Sequence, residues 1–517
     1  MGSSKNNWSS PLVITAAATL VRLLLACTVP LVPDETYYWE WSRHLATGYF
    51  DHPPLIALCI RLGTTIFGDT RIGVRIGAII AGAIATWAIV TLVRRWRTDT
   101  PDATPATSRA AVLIATIPLS VVGFTLATPD APLLAAVAML LLLVDRALAA
   151  PARSAVAFRR WCTAGVALGL ALCSKYTAVL VALGIFIGLL AHPRLRRRLA
   201  EPGPYVAVVI ALAIFSPVII WNARHGWVSF AFQLHHGLGR HGGSPLAREL
   251  NLFGGQLALI TPIIAILMGM AVWRAVRDRN DLRADHQFVW GMTVIALFAV
   301  FALSAVRKPV EANWPAPALA AMIPLLAMAD TAIPRRWFTG GVWLAGFCAV
   351  IISAHAMAGI LPLPPRRDPL TQARGWDDAA TRMHAVRDSL VRNDPTNGAH
   401  CHRVWFTADR YQDASALAFA LPDHPFVFAL NIGGRHNQYD LWPPVAASFA
   451  SGDCVLLAVD DSPAGAAVAK RASQIMAMLS GASDPQQATP FDAGIAPRQY
   501  HGHNIGARRL WDIPIGR

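Results

Sequence analysis

The sequence predicts a polytopic α-helical membrane protein with a small α/β domain behind its last span, and three observations predict it. Hydrophobic residues fill 54% of the 517 positions and charged residues only 15%, against about a quarter charged in an average soluble domain. Apolar runs close to the roughly 17 to 25 residues that cross a bilayer recur as far as Ile360. Beyond the Pro-rich linker "LPLPPRRDP" they stop, and residues 361–517 have ordinary polar content.

In chain order the runs are Pro11–Pro30, Ile72–Leu92, Ala110–Leu126, Pro132–Ala149, Trp161–Cys173, Thr177–Ala191, Tyr205–Trp221, Leu252–Val272, Phe288–Val306, Trp314–Met328 and Gly340–Ile360. That makes about eleven spans. The first lacks a short apolar core followed by a small-residue cleavage site, so it reads as a retained helix. Trp161–Ala191 is expected to form two short spans around Ser174-Lys175-Tyr176, because one long span would invert the arginine pattern downstream. In the tail, Val404–Thr407, Phe426–Ala429 and Cys454–Ala458 read as strands, and Asp413–Ala420 and Ala464–Leu479 as helices.

The net charge of +14 does not point to nucleic acid, which calls for basic and aromatic residues interleaved on one surface. The arginines instead cluster in alternate connections: Arg94, Arg95 and Arg97; Arg153, Arg159 and Arg160; Arg194 and Arg196 to Arg198; Arg274, Arg277, Arg279 and Arg283; Arg335 and Arg336. Cytoplasmic loops carry such a bias. On that topology the stretch Asp34 to Asp69, the connections at Asp130, Lys175 and Arg307–Pro315, the loop Asn222–Asn251 and the tail all lie outside.

Ionisable residues at a membrane are costly to bury and so are functional candidates. "VPDETYYWEW" sets Asp34 beside Glu35 at the mouth of the first span, and on a helix adjacent side chains point about 100° apart. One carboxylate is then available to a cavity while the other caps or pairs. For Asp34, after Pro33, helix capping is the plainer alternative. Tyr37, Tyr38, Trp39 and Trp41 suit an interfacial aromatic belt as well as a ligand surface. Asp51 and His52 precede two prolines, Asp130 sits in "ATPDAPL" where an N-cap role competes, and Lys175 sits in "SKYT" where snorkelling competes. Arg307 and Lys308, with Glu311 and Asn313, place cations on the outer side against the topological trend, as an anionic ligand requires. His235, His236 and His241 lack a metal-ligand spacing, and no Walker A or dinucleotide fingerprint is present. No cofactor is called for, although a divalent metal stays open. Cys401 and Cys454 both precede tail strands, and an oxidising compartment would allow them to pair.

The order DETYY…FDHPPL, TPDAPL, LALCSKYTAVL and ANWPAP, followed by GGRHNQYDLW in the tail, resembles the bacterial glycosyltransferases related to protein O-mannosyltransferases and the lipid A aminoarabinose transferase. The resemblance implies the GT-C fold of about 11–13 transmembrane helices, with a membrane domain over 1–360 and a periplasmic α/β domain over 361–517. It implies transfer of a sugar from a polyprenyl-phosphate carrier to a lipid A-like or protein acceptor, with membrane lipid as a further partner. Asp34 and Glu35 match the family's catalytic acidic pair, with Asp34 the expected base in an inverting displacement. Asp51, His52, Asp130, Lys175, Arg307, Lys308, Tyr37 and Tyr38 are the expected substrate-binding residues. Where relatives carry a phosphate-binding lysine this chain has His52, which shifts that role toward Lys175. The competing reading is a transporter or flippase of a lipid-linked or anionic substrate, disfavoured because no internal repeat is visible and the charges lie outside the spans.

Overall fold

The computed structural model describes residues 10–97, 103–238, 244–277, 285–329, 333–365, 367–391, 401–432, 434–480, 485–500 and 503–515. Two compact units emerge: Met1–Val29 with Leu45–Ile360, and Pro30–His44 with Leu361–Arg517. This corrects the expected partition at one place, since the acidic-aromatic segment after the first span is part of the tail unit. The reason is burial. In helix Pro33–Arg43 the side chains of Tyr37, Trp39 and Trp41 are buried; Tyr37 packs on Tyr411 and Tyr439 of the tail and Trp39 on Phe419.

In the first unit, seven helices among the described residues are long and apolar enough to cross a membrane: Pro11–Thr28, Arg71–Trp96, Asp130–Leu148, Ala155–Ser174, Pro202–Arg224, Asp285–Ala305 and Arg335–Ala358. Leu55–Phe67, Ala178–Ala191 and Ala316–Met328 are shorter apolar helices. Trp161–Ala191 divides into two helices around Lys175, as expected. The straight run expected over Leu252–Val272 is instead two helices, Pro245–Ile260 and Pro262–Arg277, bent by 104°. Thr261 between them has φ +74°, and Pro262 has no N–H to continue the ladder. Likewise Ala110–Leu126 breaks into Thr104–Thr116 and Pro118–Gly123.

Buried arginines close several of these proline breaks. The carbonyl of Ile114 would take the N–H of residue 118, which is proline; Arg22 Nη2 donates to it at 3.1 Å. Ala26 and Val29 lose their donors to Pro30 and Pro33, and Arg75 Nη1 donates to both, at 3.3 and 2.6 Å. Ala305 loses its donor to Pro309 and accepts from Arg248 Nε at 2.9 Å. An unsatisfied carbonyl in a dry bundle costs about 1–3 kcal/mol, so each arginine stabilises a break that shapes the bundle.

Close helix contact depends on small residues. A Cβ at Gly184 or Gly188 would come within 2.8 and 2.9 Å of the Thr293 and Val289 Cα atoms on helix Asp285–Ala305. The two ends of the bundle differ. At one, Asp145 accepts from Arg95 Nε (2.9 Å), Trp96 Nε1 (2.8 Å) and His286 Nδ1 (2.7 Å), and Arg194 pairs with Asp285. At the other lie Asp130, Lys175, Asn222 and Lys308, at the opposite termini of the same helices.

The second unit is built on a mixed five-stranded sheet in the order β2-β1-β3-β5-β4. β1 is Val404–Ala408, β2 Phe428–Ala429, β3 Cys454–Asp460, β4 Phe491–Tyr500 and β5 His503–Pro514. β1 runs parallel to β2 and β3, while β5 is antiparallel to β3 and β4. The helices Tyr411–Ala420 and Pro463–Leu479 match expectation. Helix Trp376–Val391 and the β4–β5 hairpin were not anticipated, because Asp492, Arg498, Arg508 and Arg509 interrupt the apolar alternation of the hairpin. A disulfide joins Cys401 to Cys454.

Candidate active site

Helix Ala155–Ser174 ends because Lys175 turns extended (φ −156°, ψ 138°), its N–H still bonded to Ala171 O. The side chain leaves the helix axis and Nζ donates to Asp130 Oδ1 at 2.8 Å. The other Asp130 oxygen accepts from Asn313 Nδ2 at 3.0 Å. Three separate connections thus meet at one carboxylate. Asp130 makes no capping hydrogen bond to its own helix, so the N-cap alternative falls away. Both charged groups are 8% exposed, and a pair buried that deeply must satisfy itself. An ammonium has three donors and Asp130 engages one, which leaves capacity for an anion.

The segment that brings Asn313 to Asp130 also carries the second cation. Lys308 is buried, its ammonium 5.8 Å from the centre of the Trp314 ring. Burial lowers its pKa, and Glu311 partly offsets this. Its neighbour Arg307 is exposed, so the structure separates two residues that the sequence grouped.

Around Lys175 the chain is pinned by polar contacts that sequence reasoning did not single out as site residues. Ser229 Oγ donates to Tyr49 O at 2.6 Å, Ser229 N–H to Asn222 Oδ1 at 3.2 Å, and Gln233 Nε2 to Asp51 O at 2.7 Å. These bonds fasten helix Val228–Leu238 to the segment carrying Asp51 and His52. Asp51 is buried and His52 half-buried. The Tyr176 hydroxyl, next in chain to Lys175, lies beside Ser229 and Asn222 and within the field of Asp51. Burial pushes its pKa up to about 12, the polar groups of Ser229 and Asn222 pull it down and the Asp51 charge raises it further, although the hydroxyl makes no hydrogen bond within the described residues. Tyr49 is also pushed to about 12 by burial. Trp221 stacks on His225 at 4.0 Å and crosses Gly48 so closely that a Cβ there would lie 2.7 Å from its ring. The signal available in the sequence was polar residues at span ends, Asn222 above all. His241 and the side chain of His236 lie outside the described residues.

In the second unit the acidic pair divides its roles. Glu35 is buried, and its Oε2 accepts from the Val32 N–H at 3.0 Å, closing its own helix start. Asp34 is exposed. Tyr37 is not available as a ligand surface. Its hydroxyl accepts from the Gln438 N–H at 2.7 Å, and its ring meets Tyr411 at 4.4 Å. Tyr38 is buried against Tyr37 and Trp41, so the aromatic cluster forms a domain core and not a membrane belt. Arg43 spans Glu40 Oε1 (3.1 Å) and His424 O (2.7 Å).

With this geometry described, relatives become informative. A family model described as dolichyl-phosphate-mannose-protein mannosyltransferase matches residues 51–221, the stretch that holds Asp51, His52, Asp130, Lys175 and Tyr176. A lipid A galacturonosyltransferase of Rhizobium johnstonii is 30% identical over 310 residues, covering 59% of this chain and 62% of that protein. The crystal structure of ArnT from Cupriavidus metallidurans in the apo state superposes with a TM-score of 0.65 at 16% identity over 97% of both chains. The chain shares the fold of that protein. The ArnT structure bound to undecaprenyl phosphate superposes equally, with a TM-score of 0.66 at 15% identity over 98% of both chains; at such identity both likenesses speak to fold. A Pseudomonas fluorescens undecaprenyl phosphate-alpha-4-amino-4-deoxy-L-arabinose arabinosyl transferase is 24% identical, over 57% of this chain and 53% of its own length. The chain thus spans 53% to 62% of these curated relatives. As in the sequence expectation, the chain pairs an apolar helical unit with a small sheet unit; Asp34 lies outside the stretch that the family model matches.

Proposed function

We propose that the protein moves a sugar from a polyprenyl-phosphate carrier to a lipid A-like or protein acceptor at the outer face of a bacterial inner membrane. The Lys175–Asp130–Asn313 cluster carries this reading, since it holds a buried ammonium with spare donors at a span mouth, and Lys175 and Asp130 fall inside the stretch that the mannosyltransferase family model matches. The printed names of the relatives, a lipid A galacturonosyltransferase and an undecaprenyl-phosphate arabinosyl transferase, support the donor and acceptor classes.

In the proposed step the acceptor hydroxyl attacks the anomeric carbon as the bond from that carbon to the carrier phosphate oxygen breaks. The acceptor proton passes to the Asp34 carboxylate, and polyprenyl phosphate leaves as an anion. One displacement inverts the anomeric centre. Lys175 and Lys308 stabilise the departing phosphate as its charge grows, with Tyr176 a nearby donor, while Asp34 removes a proton that a hydroxyl otherwise holds too tightly. Two features support the outward orientation: for the tail, the Cys401–Cys454 bridge, which persists in oxidising compartments, and for the bundle, the arginines gathered at the end away from Asp130 and Lys175.

Mass spectrometry of lipid A, envelope glycolipids and secreted proteins tests this, in cells with the gene, without it, and with Asp34→Asn. One sugar increment is expected to vanish in both altered strains. No difference on deletion, with the carrier sugar present, sinks the transfer reading; loss on deletion but not in Asp34→Asn removes only the base.

A further inference from the structure

The second unit contains a half-open cavity of about 340 Å³, lined by β2, residues 436–446 and the last turns of helix Pro463–Leu479. That lies within the size range of small-molecule sites, about 300–1,000 Å³. Its wall is aromatic: Trp442 meets Tyr439 edge to face at 5.0 Å and Phe426 at 5.7 Å. Its floor includes buried Met476 and Val445, and at its mouth Ile475 and Leu479 are 37% and 55% exposed.

The carboxylate of the wall is already engaged. Asp440 already accepts from Asn431 Nδ2 at both oxygens, from His436 Nδ1 and from the Asn437 N–H. Its acceptor capacity is spent within the loop. Apart from the Tyr439 hydroxyl, which has no hydrogen-bond partner among the described residues, and the His436 ring, what remains is mostly hydrocarbon surface, which favours an apolar ligand. Helical spacing then places a cation beside the opening: Arg471, Ile475 and Leu479 follow one another at intervals of four on one face of helix Pro463–Leu479, and Arg471 is exposed. An apolar slot with a guanidinium one turn along the same face matches a ligand with a hydrocarbon tail and an anionic head.

We propose that this cavity holds one acyl chain of an anionic glycerophospholipid, with Arg471 at its phosphate. Each methylene taken from water strengthens such binding about fourfold. The test uses the full chain in phosphatidylcholine nanodiscs containing phosphatidylglycerol with a mid-chain diazirine, irradiated and then peptide-mapped. Adducts are expected within residues 426–446 and 475–479. Ile475→Glu should lower them by about tenfold or more, and Leu479→Asp provides a second blocked mouth. Retention of the Cys401–Cys454 disulfide in each variant verifies folding. Arg471→Ala should weaken labelling by the phosphatidylglycerol probe but not by a matched phosphatidylcholine probe.

The proposal is overturned if labelling there is no greater than at Phe491, an exposed apolar residue of β4, or if it survives both charged substitutions in folded protein. It is also overturned if soluble hexose or uronic acid displaces the probe, which assigns the cavity to a saccharide. Displacement by lipid A far below the concentration at which phosphatidylglycerol competes would assign it to an acceptor instead.

Discussion

The two acidic centres of this molecule handle charge in opposite ways. Asp130 is held between side chains from two other connections, so its charge is neutralised by Lys175 and its geometry depends on long-range packing. In helix Pro33–Arg43 the charge is managed locally: Glu35 closes the helix start three residues back, and Asp34 remains exposed. A carboxylate meant to accept a proton gains from staying outside a salt bridge, because a bound cation would hold its pKa down. One meant to position a lysine gains from being inside one. The contrast therefore fits Asp130, inside its salt bridge, to positioning Lys175.

Asp34→Asn should break the comparison most sharply. It is expected to lower sugar transfer about a hundredfold to ten-thousandfold while leaving thermal stability unchanged. Glu35→Ala should do the reverse, costing about 1 kcal/mol of stability with a smaller loss of transfer. Equal activity losses with equal stability losses would erase the distinction.

Next in size is Lys175→Met. It leaves a buried carboxylate unpaired at a cost of about 3–5 kcal/mol, read as a lower melting temperature in detergent. Adding Asp130→Asn should restore much of that stability but none of the transfer. If the double variant regains transfer, Lys175 serves structure alone.

A smaller effect separates the bundle's scaffold from its chemistry. Arg248→Leu removes the donor to Ala305 O and should cost about 1–3 kcal/mol. In a Pro309→Ala background the chain can supply its own N–H, so the same substitution should cost less. A double-mutant cycle in thermal unfolding measures the difference.

The smallest effect is on pH dependence. Burial places the Lys308 pKa below that of an ordinary lysine. Its charge, and with it donor affinity, therefore fades at a lower pH than an ordinary lysine's would. The Michaelis constant for the carrier sugar should climb on the alkaline side, and Lys308→Arg should flatten the climb. A profile unchanged by Lys308→Arg would remove Lys308 from phosphate binding.

Much of the membrane unit was legible because hydrocarbon leaves few choices. The division of Trp161–Ala191 at Lys175 followed from arginine alternation, and β1, β3 and helix Pro463–Leu479 followed from apolar runs. Where reading failed, a local pattern was overruled. Thr261-Pro262 looked like an interruption inside one span, yet a positive φ before a proline turned the chain by 104°. The charged β4–β5 hairpin gave no alternation to read.

Local sequence alone determined which segments are apolar helices, where prolines break them and which end collects arginine, because each depends on hydrocarbon length or on a missing N–H within four residues. Only the tertiary structure decided that Tyr37 and Trp39 belong to the tail, that Asp130 meets Lys175 and Asn313, and that Arg75 and Arg248 answer particular prolines. Those partners lie 45 to 401 residues away, and no spacing rule spans such distances. They are chosen by which buried polar groups must find one another once water is gone.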